Sequence, residues 1–280
     1  MIFMVDIRII IGDSTHMDKL DDNSIDLVVT SPPYPMIEMW DDLFHSVGAY
    51  TYDEMHNYLA KTWKECFRVL KKGGLMCINI GDTVRRIDNR FKLYPNHSRI
   101  IEICEQIGFE TLPYIIWQKP TNKPTAFMGS GFLPPNAYVT LDCEYILIFR
   151  KDGLREFEPK DERRYKSAFT KEERDVWFSQ IWQVKGETQD EEGYGKRTAA
   201  FPTEIPRRLI RMFSIEGDTI LDPFLGTGTT ALAAKEVNRN CVGYEINPEL
   251  LPVIKRKIGA NQHSLSKDAD VNLTVEISQP

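Results

Sequence analysis

Short apolar runs that alternate with segments of helical periodicity are the feature of this chain that most constrains its fold. The runs that predict strands are Val5 to Ile11, Ile25 to Val29, Leu75 to Ile80, Leu112 to Trp117, Val139 to Phe149, Thr219 to Asp222 and Cys241 to Glu245. The segments that predict helices begin near Thr51, Ser98, Thr203, Thr229 and Pro248. This alternation is typical of a parallel sheet with crossover helices. We therefore predict an α/β fold with a doubly wound, mostly parallel, Rossmann-like sheet, in which the first two strands are neighbours.

Composition agrees with a soluble globular protein of ordinary type. The 280 residues are 42% hydrophobic and 27% charged, and no apolar run approaches the roughly 20 residues of a membrane span. We expect a cytoplasmic protein, because the apolar N-terminus lacks a basic leader. The five cysteines have no metal-ligand or redox spacing and are interpreted as structural thiols, so no metal is expected. They are Cys66, Cys77, Cys104, Cys143 and Cys241.

The charge balance argues mildly against a protein that holds nucleic acid chiefly by charge. The formal net charge is −6, although a net count can hide a one-sided distribution. Basic residues do gather in two clusters, each of which suits either a solvated face or a phosphate contact. The clusters are Arg85, Arg86, Arg90 and Lys92, and Arg207, Arg208 and Arg211.

Three segments depart from the alternating pattern. Residues 119–136 are rich in Pro, Gly, Thr and Asn and predict a long loop, with Phe127, Met128 and Phe132 embedded in it. Residues 151–196 are densely charged and predict an inserted subdomain, whereas residues 264–280 are polar and predict a frayed tail. The catalytic domain is accordingly expected over residues 1–150 and 197–263.

A glycine-rich turn follows the strand that ends at Asp222. Its sequence is Asp-Pro-Phe-Leu-Gly-Thr-Gly over residues 222–228, and glycines at 226 and 228 let the main chain approach a ligand closely. No Gly-Lys-Ser/Thr follows, so it is not a nucleotide-triphosphate loop. Glu245 ends the next strand about 20 residues later, where a carboxylate can accept hydrogen bonds from both hydroxyls of a ribose. A tight structural turn is the alternative interpretation.

A second strand-end segment reads Thr-Ser-Pro-Pro-Tyr over residues 30–34. Prolines fix φ and donate no N–H, so they hold a carbonyl oxygen in a narrow set of directions. The hydroxyl of Ser31 and a main-chain carbonyl could together accept hydrogen bonds from an amine. Asn79 and Asp82, at the end of the following strand, could orient Ser31 or a water molecule. A Pro-Pro turn without function is the alternative here.

Together the two segments resemble the S-adenosylmethionine-dependent DNA amino-methyltransferases. Ser31-Pro32-Pro33-Tyr34 resembles the N4-cytosine type, and its position before the cofactor turn is similar to the β group of the family. The resemblance covers roughly residues 6–150 and 197–257. It implies the class I methyltransferase fold with an inserted target-recognition region, here residues 151–196. The usual histidine of the segment before the cofactor turn is replaced by Phe201.

The resemblance implies roles for individual residues. Ser31 and the carbonyl of Pro32 would hold the target amine, Pro33 would complete the turn, and Tyr34 would stack on the base. S-adenosyl-L-methionine would lie on the methionine side against Asp222, Phe224, Gly226 and Gly228, with Glu245 on the ribose and Asp13 near the adenine. The further cofactor-binding residues expected are Thr30, Thr203, Pro223, Thr229 and Asn247.

The implied activity is methyl transfer to the N4 amine of a cytosine that is flipped out of double-stranded DNA. Because some serine forms act on adenine, N6-adenine methylation stays as an alternative. A nicotinamide-dependent oxidoreductase and a catalytically idle DNA-binding module are alternatives of other classes. The loop at 119–136 and the insertion would contact DNA. A restriction endonuclease acting on the same site is the other expected partner, and the enzyme would be a monomer or a homodimer.

Overall fold

A computed structural model of the chain describes residues 4–119, 128–129, 133–186, 201–259 and 270–278. Its strands are β1 Met4–Ile11, β2 Ile25–Thr30, β3 Leu70–Ile80, β4 Thr83–Ile87, β5 Arg90–Tyr94, β6 Glu110–Gln118, β7 Met128–Gly129, β8 Ala137–Tyr138, β9 Cys143–Arg150, β10 Ile181–Trp182, β11 Thr219–Asp222, β12 Asn240–Glu245 and β13 Asp270–Ile277. Its α-helices are α1 Asp41–Ser46, α2 Tyr52–Val69, α3 Asn96–Ile107, α4 Glu162–Lys166, α5 Lys171–Trp177, α6 Glu204–Phe213, α7 Thr229–Glu236 and α8 Leu251–Lys257. Short 3₁₀ helices cover Glu38–Trp40 and Pro248–Leu250.

Nine of these strands form one sheet in the order β10-β6-β9-β3-β2-β11-β12-β1-β13. All neighbouring pairs are parallel except β9, which runs antiparallel to both β3 and β6. The hairpins β4-β5 and β7-β8 lie outside this sheet. The predicted doubly wound, mostly parallel α/β fold is confirmed. Among the described residues, no helix combines the length and the apolar character needed to cross a bilayer.

The expectation that β1 and β2 are neighbours is wrong. Strands β11 and β12, from the second half of the chain, lie between them. Strand β2 pairs with β11 through Leu27 and Ile220, and β1 pairs with β12 through Ile7 and Cys241. Consecutive strands of a doubly wound sheet separate where the winding direction reverses, and that switch point is where ligands bind.

Helix α2 shows how the sequence builds one layer of this fold. Thr51 and Glu54 form a capping box, in which the Glu54 N–H donates to Thr51 Oγ1 (3.3 Å) and the Thr51 N–H donates to Glu54 Oε2 (2.8 Å). The helix buries Met55, Leu59 and Trp63 on one face, as its 3.6-residue period requires. The indole of Trp63 meets the ring of Phe224 edge-on at 5.8 Å, so this helix supports the glycine-rich turn from beneath.

The sheet divides two apolar cores because successive side chains of a strand point to opposite faces. Val28 packs with the core that contains α2 and α3, whereas its neighbours Leu27 and Val29 pack with the core that contains α6, α7 and α8. Four of the five cysteines are buried, and burial raises the pKa of each of their thiols. The interpretation of these four as structural thiols fits this environment.

The described part of the charged segment after β9, residues 151–186, packs against the main sheet. The side chains of Trp177 and Trp182 join the core beside α6, and β10 extends the main sheet by pairing with β6. Arg208 lies over the Trp182 indole at 5.1 Å, and Arg211 lies over the Trp177 indole at 5.5 Å. The two buried tryptophans therefore attach this charged segment to the apolar core. The predicted role of the segment in DNA recognition stays a prediction.

The prediction of a frayed tail over residues 264–280 is wrong for residues 270–277. They form β13, which pairs in parallel with the whole of β1, from Met4 with Asp270 to Ile11 with Ile277. The Arg8 guanidinium donates to the Glu276 carboxylate at 2.5 and 3.0 Å. The physical reason is a strand-like alternation that the overall polarity conceals, because Val271, Leu273, Val275 and Ile277 occupy every second position.

Candidate active site

The carboxyl ends of β2 and β11 lie side by side, because the two strands are paired neighbours. The Thr30 hydroxyl donates to Asp222 Oδ1 at 2.6 Å, across 192 positions of sequence. Thr30 opens the Ser-Pro-Pro-Tyr segment and Asp222 opens the glycine-rich turn. The two segments that the family resemblance implies for one site therefore lie side by side in the fold.

A cavity of about 430 Å³ lies at this edge of the sheet, within the size range of small-molecule sites. Both segments line the same cavity. The predicted site residues along its wall are Asp13, Ser31, Pro32, Pro33, Tyr34, Asp222, Pro223, Phe224, Gly226, Thr229, Glu245 and Asn247. One cavity thus offers room for a cofactor at the turn and for a second molecule at the Ser-Pro-Pro-Tyr corner.

Three predicted cofactor residues do not line the cavity. Thr30 does not reach the cavity itself but donates a hydrogen bond to Asp222, which does. Gly228 has φ +89° at the start of α7, and a Cβ there would lie 3.1 Å from Ile254 Cγ2, so packing against α8 explains this glycine. Thr203 stands at the entrance to α6, and Phe201 lines the cavity in its place.

Gly226 is different from Gly228, because it borders open space. Its φ is +55°, and a Cβ at this position would find no atom nearer than 3.9 Å. Its N–H donates to Glu245 Oε2 at 2.8 Å. The main chain at Gly226 therefore faces the cavity without a side chain between them, as a closely held ligand requires.

Two buried carboxylates stand on the wall beside this turn. Glu245 accepts from the N–H groups of Gly226 and Asn247, each at 2.8 Å, and burial raises its pKa to about 7. Asp222 accepts from the Thr30 hydroxyl and from the Phe224 N–H at 3.0 Å, and burial raises its pKa to about 6. Both groups would gain from ligand hydroxyls or an ammonium group, which favour the ionised form.

The first strand contributes the third predicted cofactor segment. The Gly12 N–H donates to the Glu245 carbonyl at 2.9 Å, which joins the end of β1 to the end of β12. Asp13 Oδ1 accepts the Thr15 N–H at 2.8 Å, and the nearby Tyr58 hydroxyl has a raised pKa through burial and the charge of Asp13. Asp13 and Tyr58 both line the cavity. This geometry suits the expected position of Asp13.

At the other corner, Tyr34 is held by a buried polar network. Its hydroxyl donates to Glu144 Oε2 at 2.9 Å, accepts from Asn79 Nδ2 at 2.8 Å and lies 3.3 Å from Ser31 Oγ. Burial, followed by the charge of Glu144, raises the pKa of Tyr34 well above its usual value. The phenol therefore keeps its proton, and the ring is fixed at the edge of the cavity.

Sequence reasoning missed several residues of this site. Glu144 and Lys119 form an ion pair behind Tyr34, and the cavity wall also includes Met39, Trp40 and Tyr58. Asn79, expected to orient Ser31, contacts Tyr34 and Glu144 instead. Asp82 binds the imidazole of His97 at 2.7 Å. The one available signal for Glu144 was an acidic residue inside an otherwise apolar strand.

Comparison with known proteins identifies the family of this chain. The sequence profile of the N6/N4 DNA methylases, described as "DNA methylase", matches residues 25–256. The chain belongs to the N6/N4 DNA methylase family. This membership excludes the nicotinamide-dependent oxidoreductase considered from the sequence.

Two relatives of this N6/N4 DNA methylase come from archaea. It is 57% identical to the type II methyltransferase M.MjaI of Methanocaldococcus jannaschii, over 94% of this chain and 95% of that protein. It is 49% identical to the type II methyltransferase M.MthZI of Methanothermobacter thermautotrophicus, over 90% of this chain and 76% of that protein. Both alignments include most of the two proteins' length.

Solved structures agree with the fold and the cofactor. TTHA0409 of Thermus thermophilus, assigned as a DNA modification methylase, is solved in complex with S-adenosyl-L-methionine. It shares 32% identity with this chain, over 98% of this chain and 99% of that one, with a TM-score of 0.76. The cytosine-N4-specific PvuII DNA methyltransferase has a TM-score of 0.69 at 18% identity, over 95% of this chain and 91% of that one, and supports the fold alone. The N6/N4 DNA methylase described here is thus an S-adenosyl-L-methionine-dependent enzyme of the class I fold.

Proposed function

We propose that this enzyme transfers a methyl group from S-adenosyl-L-methionine to the exocyclic N4 amine of a cytosine flipped out of duplex DNA. The observation that supports this function is the shared cavity, in which Ser31, Pro32 and Tyr34 face the glycine-rich turn and Glu245. The choice of cytosine over adenine rests on serine at position 31. The choice between the two amines goes beyond what family membership shows.

The chain's own residues supply what an exocyclic amine lacks as a nucleophile. Its lone pair is delocalised into the ring, so hydrogen bonds from its N–H groups to Ser31 Oγ and the Pro32 carbonyl would pull the nitrogen toward tetrahedral geometry. The Tyr34 ring, fixed by its hydroxyl, would stack on the extruded base and offset part of the few kcal/mol that unstacking costs. The excess proton leaves the nitrogen during or after transfer.

The bound cofactor would supply the electrophilic methyl group. Glu245 would hold its ribose hydroxyls, and Asp13 would lie near its adenine. Asp222, Phe224 and the exposed main chain of Gly226 would border its methionine part. Pro223, Thr229 and Asn247 complete the cavity wall on this side. Thr30 and Gly228 would act through the shape of the turn, and Thr203 is not assigned a contact.

DNA would approach across the hairpin β4-β5, beside the target-base corner. Arg86, Arg90 and Lys92 are exposed on it. The Arg85 guanidinium anchors the hairpin to Asp41, at 2.9 and 2.6 Å, next to Trp40 on the cavity wall. A two-stranded ribbon fits the major groove of DNA, and its cations can pair with phosphates. The segment at 151–196 and the loop at 119–136 would read sequence. Residues 187–196 of the segment, and Phe127 and Phe132 of the loop, lie outside the described residues.

The binding surface is tested by the salt dependence of DNA affinity. Replacement of Arg86, Arg90 and Lys92 by glutamine should lower the slope of log K against log salt by about 0.9 for each phosphate that is no longer neutralised. The matched control is Arg207→Gln on α6, whose guanidinium is paired with Glu204. An unchanged slope in the triple variant would remove the hairpin from the interface.

The base is tested by methylating plasmid DNA, followed by nucleoside mass spectrometry and modification-sensitive sequencing. We expect N4-methylcytosine in one sequence context. Detection of N6-methyladenine would show that the enzyme acts on adenine and would contradict the choice of cytosine. The absence of both modified bases would contradict the proposal as a whole.

The biological setting that we propose is type II restriction-modification, in line with the names of M.MjaI and M.MthZI. A restriction endonuclease that recognises the same sequence is the expected partner, and the methylase would act as a monomer or a homodimer. Plasmid DNA methylated by the enzyme should resist cleavage by an endonuclease that recognises the same sequence as the methylase. Cleavage of that sequence at the unmodified rate would contradict this setting.

A further inference from the structure

Behind the target-base corner lies a chain of hydrogen bonds that runs from Lys119 to Ser31. Lys119 donates to Glu144 Oε1. Glu144 Oε2 accepts from Asn79 Nδ2 at 2.7 Å and from the Tyr34 hydroxyl at 2.9 Å. Tyr34 in turn lies 3.3 Å from Ser31 Oγ. Glu144 is only 9% exposed, so solvent is largely excluded from it.

The directions of these bonds follow from the number of protons. A carboxylate can only accept, so Asn79 must turn its NH₂ group toward Glu144, and Tyr34 must give Glu144 its hydroxyl proton. A phenol has a single proton. In the contact between Tyr34 and Ser31, the serine is therefore the donor.

The consequence for Ser31 is a fixed polarity. In this network its one proton is directed to Tyr34, and its lone pairs remain for a molecule in the cavity. An exocyclic amine, which presents N–H donors, fits this arrangement. A carbonyl oxygen at the same position of the base would meet lone pairs instead, and an unpaired buried polar group is costly.

We propose that Glu144, fixed by Lys119 and Asn79, is a positioning residue that sets the direction of the Ser31 hydroxyl and so makes the pocket select an amino base over its keto counterpart. This inference rests on the proposed function, since it concerns how Ser31 meets the target base. Glu144 acts through Tyr34 and does not touch the substrate.

The first test removes the acceptor. In Glu144→Leu the Tyr34 proton can turn toward Ser31, and the serine proton is free to enter the cavity. We expect kcat for methyl transfer to fall about 30-fold. Glu144→Gln keeps one acceptor oxygen, for which Lys119 and Tyr34 compete, and should lie between this variant and the wild type. Equal kcat in all three proteins would overturn the inference.

The second test is a double-mutant cycle with Tyr34→Phe, which keeps the ring and removes only the hydroxyl. If Glu144 acts through that hydroxyl, the double variant should be no slower than Tyr34→Phe alone. If the two variants' reductions in kcat multiply in the double variant, Glu144 acts by another route, such as holding β6 against β9. That result would contradict the inference.

The third test measures the hydrogen-bonding preference of Ser31 directly. It compares the binding of oligonucleotides in which the target base carries either its amine or a keto group at the same position. The keto bases are uracil for cytosine, or hypoxanthine for adenine. We expect the wild type to prefer the amino base, and Glu144→Leu to reduce that preference at least about fivefold. An unchanged preference would mean that Ser31 keeps its direction without Glu144.

Controls separate this inference from the proposed function and from loss of folding. Glu110→Leu removes an ion pair between β6 and β9, Glu110 with Arg150, and should transfer methyl groups at the wild-type rate. Calorimetry should give wild-type affinity for S-adenosyl-L-methionine in every variant. A wild-type enzyme that methylates no DNA would contradict the proposed function, whereas an active wild type with an equally active Glu144→Leu would contradict only the role of Glu144.

Discussion

The two corners of the cavity are stabilised in opposite ways. At the target-base corner, Tyr34, Asn79 and Glu144 bond to one another, and Lys119 balances the carboxylate charge. At the cofactor corner, Asp222 and Glu245 are held by N–H groups and hydroxyls, and burial raises both pKa values. At the first corner the carboxylate charge is balanced within the protein, although Asn79 Oδ1 has no hydrogen-bond partner. At the second corner neither carboxylate forms an ion pair with any described residue, so its charge is not balanced.

This difference indicates which corner depends on its ligand. A preformed network costs no reorganisation when the base arrives, so it suits catalysis. Carboxylates that lack a counter-charge gain most when hydroxyl or ammonium groups reach them. Changes at the base corner should therefore alter the rate, and changes at the cofactor corner should alter affinity and its dependence on pH.

The largest effect is expected for Ser31→Ala. Loss of the hydroxyl that accepts from the amine should lower kcat about 10²- to 10³-fold, measured as transfer of a tritiated methyl group to DNA. Calorimetry should show unchanged affinity for S-adenosyl-L-methionine, because Ser31 belongs to the other corner. A fully active variant would remove Ser31 from the mechanism.

Glu245→Gln should weaken the affinity for S-adenosyl-L-methionine about 30-fold, since a hydrogen bond to a charged acceptor is worth roughly twice a neutral one. The affinity for DNA should not change, as measured by fluorescence anisotropy in the absence of the cofactor. Unchanged cofactor affinity would refute the ribose role and, with it, the contrast between the corners.

Cofactor affinity should also decline as the pH falls through about 7, the pKa of the buried Glu245. Ligand hydroxyls stabilise the ionised carboxylate, so protonation of Glu245 competes with binding, and affinity is full above this pKa and is lost below it. We expect the Kd to be about tenfold larger at about pH 6 than at about pH 8. Glu245→Gln is the matched control, and it should lose this component of the pH dependence; a parallel profile in both proteins would contradict the assignment.

The smallest effects separate the two glycines of the turn. Gly228→Ala combines a positive φ with a contact of 3.1 Å to Ile254 Cγ2, and should lower the free energy of unfolding by roughly 2 kcal/mol. In Gly226→Ala the new methyl group enters open space, and the free energy of unfolding should fall by only about 1 kcal/mol. This variant should nevertheless weaken cofactor binding more than Gly228→Ala does. Thermal unfolding and calorimetry measure the two quantities, and the reverse order would mean that Gly226 does not face the ligand.

The sequence was sufficient for features that depend on local pattern. The capping box at Thr51 predicted the start of α2. The apolar runs predicted the strand that ends directly before Ser31 and the strand that ends at Asp222. Residues at the ends of parallel strands converge on one edge of the sheet, and the family resemblance assigned Tyr34 and Gly226 to one active site without knowledge of the strand order.

Features that depend on strand order could not be obtained in this way. The position of Glu144 beside Tyr34 requires that β9 lie next to β3, and no local signal specifies that pairing. The tail is a different case, because the alternation from Val271 to Ile277 predicts a strand, whereas the polar composition of residues 264–280 predicts fraying. Trp177 and Trp182 are a comparable case, since charged neighbours in the sequence conceal an apolar contact surface.

One reversed strand determines what the target-base corner can contain. Strand β9 pairs antiparallel with β3, with Asn79 opposite Ile146, so its first residues reach the edge where the parallel strands finish. Were β9 turned to run with its neighbours, position 144 would stand about 20 Å away at the far rim of the sheet. The partner of the Tyr34 phenol thus depends on chain direction, and a homologous sequence with a parallel strand here would have to recruit that acid from a loop.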